Sequence, residues 1–167
     1  MTSGFEFGDR RLIGAPLCCA AFQVAGGVFP LGESPFGRRR LGYITGGRFE
    51  GPRLRGDILP GGGNWSLSGE LPDGSAVGTF DARSLWRTDD GALIYVTYTG
   101  RSVIPQDVGL AFRDPAQPHV DPVRYALRIA PVFETSDPRY AWLNGVLAVG
   151  CGEREPEGVR HFIYAIN

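Results

Sequence analysis

The sequence predicts an all-β fold, a single antiparallel domain whose strands close into a barrel. Three observations carry this. The chain holds 25 glycines and 13 prolines in 167 residues, which cut it into short runs separated by turn signals. Several of those runs alternate apolar and polar residues with the period of two expected of strands. The runs number about eight to ten, enough to close a barrel and hide the sheet edges.

Taken in order, Leu17 to Val24 (LCCAAFQV) is the first strand-like run. Residues 1–16 read as an extension of the same single domain, 1–167. Gly26 to Gly37, rich in Gly and Pro, reads as a loop. Arg38 to Thr45 (RRRLGYIT) starts basic and ends strand-like. Gly46 to Trp65 (GGRFEGPRLRGDILPGGGNW) is the stretch around which the rest is organised, and it reads as a hairpin with tight ends. So much glycine there allows turns and close approaches that a Cβ would forbid. Trp65 to Leu71 is the next strand, turned by Pro72-Asp73-Gly74. Val77 to Thr88 and Ala92 to Thr99 form the clearest hairpin, joined through Thr88-Asp89-Asp90-Gly91. In the long connection Gly100 to Pro122, Pro105 to Phe112 reads as a short helix with proline in its first turn. That insertion is placed to act as a lid or as mere decoration. Tyr125 to Ala130 is a strand and Pro138 to Trp142 a single helical turn. Leu143 to Cys151 and Val159 to Ile166 are the last two strands.

Composition narrows the function classes. A formal net charge of −1 gives no steering toward nucleic acid or anionic lipid. No apolar stretch is long enough to cross a bilayer. The N-terminus lacks the basic-then-apolar order of a secretion signal, so a cytoplasmic location is expected. Every basic residue apart from the two histidines is Arg, which excludes Schiff-base lysine chemistry. Three cysteines, two of them adjacent at Cys18 and Cys19, do not make a disulfide framework and fit a reducing compartment. His119 and His161 stand without HxH, HExxH or CxxC spacing, so both read first as structural or solvated. No metal and no cofactor is expected. Self-association into a homodimer stays open.

Alternation sorts side chains to faces. On Val77 to Thr88, Phe80, Ala82, Ser84 and Trp86 share one face, while Asp81, Arg83 and Leu85 share the other. On Tyr125 to Ala130, Arg128 falls with Ala126 and Ala130, opposite Tyr125, Leu127 and Ile129. An arginine in so apolar a strand is either on a solvated outer face or paired inside. Burial would demand a carboxylate partner, with Glu50, Asp81 and Glu134 as candidates. Trp65, Trp86, Tyr95, Tyr98, Tyr125 and Trp142 lie near turns and are core residues or, in a hollow barrel, the walls of a pocket for a flat apolar ligand. No phosphate loop, nucleophile elbow or Ser/His/Asp set can be placed.

Three blocks extend this reading. TGGRFEGPRLRGDILPGGGNW, then TDDGALIYV, then APVFETSDPRYAWLN followed by GCGER, resemble in content and order the bacterial and fungal family filed as domain of unknown function 3237. The resemblance covers about Gly32 to the C-terminus. It implies a closed, calycin-like barrel with a central cavity. It also implies kinship with members that look like cofactor-free natural-product cyclases, which add a hydroxyl oxygen across an alkene. By position Glu50, Trp65, Asp81, Arg83, Asp90, Tyr95, Arg128, Glu134, Trp142 and Asn144 match the residue types usual in that family. Three departures stand out. Asn64 replaces an Asp and cannot act as an acid or base. Ser84 stands where Tyr is usual, and Ala126-Leu127 where Tyr-Phe is usual, so a cavity there would be enlarged.

The expected function is therefore a cofactor-independent cyclase or isomerase closing an oxygen ring on a small apolar, oxygen-bearing metabolite. Glu50, Asp81 or Glu134 would be the acid, with Arg128 orienting substrate or holding a partner carboxylate ionised. Because arginine lowers the pKa of a neighbouring carboxyl, the acid should lie away from Arg83 and Arg128. Asn64, Trp65, Arg83, Ser84, Tyr95, Trp142 and Asn144 would bind substrate. The alternative is a lipocalin-like carrier that does no chemistry. A third is a barrel packed solid by its own side chains.

Overall fold

The structure, a computed structural model, describes residues 12–24, 26, 28–112 and 119–166. Of the expected extension over 1–16, residues 1–11 lie outside that set, and Gly14–Pro16 already belong to the first strand. Eleven strands follow in order: β1 (Gly14–Gln23), β2 (Val28–Ser34), β3 (Gly37–Tyr43), β4 (Gly46–Glu50), β5 (Arg55–Ile58), β6 (Gly63–Glu70), β7 (Ala76–Thr88), β8 (Leu93–Ile104), β9 (Ala126–Glu134), β10 (Ala148–Glu155) and β11 (Gly158–Ile166). One short helix, α1 (Gln106–Ala111), and 3-10 turns at Pro122–Arg124 and Pro138–Gly145 complete the described elements.

Eight strands close a barrel in the order β7-β5-β4-β1-β11-β10-β9-β8, and β8 returns to pair with β7. All pairings are antiparallel, so the expected closed barrel is found. Closure joins the first described strand to the last, since Gly14 faces Ile166 and Ala20 faces His161 across β1 and β11. The long strand β7 explains the remaining three. Its last residues pair with β5, while its first residues pair along the same edge with β6. Sheet β6-β3-β2 therefore leaves the barrel as a wing.

The Gly-rich stretch makes the expected hairpin, β4 and β5, with the Gly51 N–H donating to the Leu54 carbonyl at 2.8 Å. At Gly62, where the chain leaves β5 for β6, φ is +70° and a Cβ would collide with the Arg83 carbonyl oxygen. Only glycine fits both demands. The turn at residues 88–91, closed by the Gly91 N–H donating to the Thr88 carbonyl, and helix α1 also fall where the sequence places them.

Two expected elements differ. Residues 143–145, expected to open a strand, end the second 3-10 turn, and β10 starts only at Ala148. The segment Gly26 to Gly37 is not simply a loop, because Val28–Ser34 form strand β2. It is an edge strand paired only with β3, and its register slips between Pro30 and Gly32. An edge strand tolerates proline and a bulge because half of its backbone groups face solvent, and both features blunt the free edge.

Inward residues fill much of the barrel. Trp86, with no exposed surface, stacks on Phe49 at 4.5 Å between ring centroids and meets Phe22 and Phe133 at 6.1 Å each. At one end, Val108 and Ala111 of α1 pack with Val120, Tyr125 and Leu127, and Phe80 leans against the same group. The helix thus covers that end of the barrel.

Candidate functional site

Phe22 on β1, Tyr98 on β8 and His161 on β11 all project inward and meet in one corner of the barrel. Ring centroids are 6.0 Å apart for Phe22–Tyr98, 5.8 Å for Phe22–His161 and 5.6 Å for Tyr98–His161. Gly152 on β10 lies directly across from His161. A Cβ there would stand 2.7 Å from Nδ1 of the imidazole, so the glycine is what admits the ring.

His161 is 3% exposed and its Nδ1 has no hydrogen-bond partner. Native interiors leave few such atoms orphaned. Burial disfavours the imidazolium and pushes the His161 pKa down to about 4. Burial likewise raises the Tyr98 phenol above its ordinary value of 10.0. At neutral pH the corner presents two uncharged polar groups in aromatic surroundings. Nearby, the buried Ser84 hydroxyl accepts the Trp86 indole N–H at 2.9 Å. The Cys18 thiol is pushed up to about 12, first by burial and then by Cys19, so it stays protonated and is no nucleophile.

The charged residues singled out in the sequence lie elsewhere. Asp81 and Arg83 are on the outer face of β7, paired at 3.2 Å with about half of each side chain exposed. Arg128 and Glu134 are exposed on the outer face of β9, and Glu50 is exposed at the end of β4. Tyr95, opposite Glu134, is 40% exposed. The expected position of Glu50, Asp81, Glu134 and Arg128 in the barrel lumen is therefore corrected. Alternation sorted the faces correctly, but the apolar set, Ala82, Ser84 and Trp86, takes the inside. No Asp or Glu among the described residues is buried. Solvent therefore reaches all three carboxylates proposed as the acid.

Four of the named residues do come together on that outer face. The Asn64 Oδ1 accepts the Asp81 backbone N–H at 3.2 Å, and the Arg83 guanidinium lies over Trp65 at 5.9 Å. Trp142 is covered by the Arg53 guanidinium at 3.9 Å. Asn144 clasps the Thr135 backbone, accepting from its N–H and donating to its carbonyl, both at 2.9 Å. That clasp ties the 3-10 turn to the end of β9. Asn144→Ala should lower stability by about 1–2 kcal/mol, read from urea unfolding midpoints; an unchanged midpoint would contradict the clasp.

The sequence reading missed Phe22, Tyr98 and His161 as a group. The signal was available in VRHFIYAI, where Val159, His161 and Ile163 share the inward face. A concavity of about 280 Å³ borders Phe22 and is otherwise lined mainly by Gln23, Arg48, Asp57, Glu155 and Glu157. Three of its charged residues are held in ion pairs, Arg48–Asp57 at 3.1 Å, Arg48–Asp89 at 3.3 Å and Arg160–Glu155. Exposed pairs of this kind contribute little. Among the described residues, no group of three or more His, Cys, Asp or Glu is arranged to hold a metal, and no helix is long and apolar enough to cross a membrane.

A closed antiparallel barrel with a short helix over one end and an apolar, weakly polar-tipped interior defines a class of small β-barrel proteins. The chain belongs to the family described as "Protein of unknown function (DUF3237)", whose model matches residues 16–166. A UPF0311 protein from Clostridium acetobutylicum is 36% identical over 131 residues, covering 78% of this chain and 79% of its own length. Among solved structures, a β-barrel-like protein from Acinetobacter baumannii matches with a TM-score of 0.78 and 33% identity, over 97% of this chain and all of the other. An enzyme from Penicillium herquei matches with a TM-score of 0.63 and 26% identity, over 96% of this chain and 99% of its own.

Proposed function

We propose that this protein is a cofactor-independent cyclase or isomerase that closes an oxygen ring on a small, apolar, oxygen-bearing molecule, and that the Phe22–Tyr98–His161 corner does the chemistry. The observation that carries this reading is His161, buried, uncharged and with Nδ1 unpartnered beside a second buried polar group, Tyr98. The likeness in fold to the Penicillium herquei enzyme supports it.

Among the described residues no carboxylate is buried, and in this reading the proton travels by another group. The imidazole takes the substrate hydroxyl proton as the oxygen bonds to an alkene carbon. As the alkene π bond breaks, the imidazolium returns the proton to the other carbon. Nothing is gained or lost, so the step is an isomerisation without cofactor. A histidine with a pKa of about 4 is a weak base and, once protonated, a strong acid. Among hydroxyls the most acidic suit so weak a base best, so the substrate class we assign is a phenol or enol carrying a nearby alkene. The Tyr98 hydroxyl, held protonated by burial, donates a hydrogen bond to the substrate oxygen.

The test is a panel of ortho-alkenyl phenols followed by chromatography for the cyclic isomer. The wild type should cyclise at least one. His161→Phe should lower kcat/KM by about 100-fold, and Tyr98→Phe should chiefly raise KM. Undiminished turnover by His161→Phe would overturn the assignment. Phenols that bind and return unchanged would make the protein the lipocalin-like carrier instead.

A further inference from the structure

The outer face of β9 reads Ala126, Arg128, Ala130, Val132, Glu134, a strip with opposite charges at its ends and small apolar residues between. Neither Arg128 nor Glu134 has an ion-pair partner among the described residues. Arg128 also faces Arg101 directly across the β8–β9 ladder, and like charges so placed repel. Val132 in the strip is 46% exposed, and apolar side chains extend it on both sides, Val149 on β10 at 46% and Tyr95 on β8 at 40%. A monomer gains nothing from such a pattern.

We infer that this face is a self-complementary interface that joins two copies of the chain. Consider a two-fold axis lying along the sheet surface, across the strands, above Pro131. It lays β9 of one copy antiparallel on β9 of the other. Glu134 then meets Arg128 of the second copy, Ala130 meets Val132, and Tyr95 meets Arg101. The last contact relieves the Arg101–Arg128 repulsion by placing a guanidinium against an aromatic ring. Each contact occurs twice, as an isologous interface requires. Arg128 and Glu134 are six residues apart, roughly 20 Å along a strand, so the apolar centre is flanked by an ion pair at either end. The charged ends fix register and exclude parallel stacking, which would set Arg128 against Arg128 and Glu134 against Glu134.

Sedimentation equilibrium of the full chain tests this. The wild type should be dimeric in the micromolar range. Glu134→Arg and Arg128→Glu should each raise the dimer Kd by about tenfold or more. The double reversal should return Kd to within about threefold of wild type. Both changed side chains are on the surface, and unchanged circular dichroism separates lost dimer from lost fold. A wild type that stays monomeric at 100 µM would overturn the interface (roughly the weakest affinity expected of a specific dimer). Single reversals without effect, or a double reversal that does not recover, would overturn it equally.

Discussion

Trp86→Ala is expected to lower the free energy of unfolding by about 3–5 kcal/mol, among the largest losses available from one substitution in this chain. Trp86 has no exposed surface and lies among Phe22, Phe49 and Phe133, drawn from three other strands of the barrel. Deleting the indole opens a cavity that strands held in a closed ladder cannot collapse to fill. It also leaves the buried Ser84 hydroxyl without the N–H it accepts. Trp86→Phe keeps the stack on Phe49 and loses the hydrogen bond, so it should cost about 1–2 kcal/mol. Urea unfolding by tryptophan fluorescence and circular dichroism reads both. Since a domain of this size holds only about 5–15 kcal/mol in total, the alanine variant should unfold well below the wild-type midpoint. A loss under about 1 kcal/mol would mean the interior is loosely filled.

The second large effect is a dependence of stability on pH carried by His161. Its pKa is about 4 in the folded protein against an ordinary 6.5, because burial disfavours the charged ring. The folded value is the lower one, so the unfolded chain binds more protons between the two. Stability is therefore complete above pH 6.5 and falls as the pH drops toward 4. At 1.36 kcal/mol per pH step, the span amounts to roughly 3 kcal/mol. Exposed carboxylates titrate in the same window, so the measurement is a difference. Urea midpoints at pH 7 and pH 4 are compared for the wild type and His161→Phe. The wild type should lose about 3 kcal/mol more than the variant. Equal losses would show that the imidazole is hydrated in the folded state.

Much of the fold was legible in the sequence. Alternation on β7 and β9 assigned each side chain to the correct face, and aspartate and glycine marked the β7–β8 turn. Strand β2 was hidden because Pro30 and Gly32 are loop signals in isolation and become an edge strand only once β3 lies beside them. The site was less legible. Family-like charged residues drew attention to Glu50, Asp81, Arg128 and Glu134, and local pattern does not say which face of a strand turns inward. The His161 corner depends on contacts among four strands, including the space that Gly152 leaves, and no single segment contains it.

The pairing of β1 with β11 has a consequence for how the protein is made. Residues of β1 leave the ribosome well before the β11 that they need as a neighbour. Until Gly158–Ile166 appear, Ala20 and Phe22 have one wall missing and an open edge beside them. Contacts so distant along the chain slow folding. Nascent chains stalled short of the final strand should remain protease-sensitive, and a permuted gene that begins at residue 90, with the old termini joined, should acquire resistance earlier in synthesis.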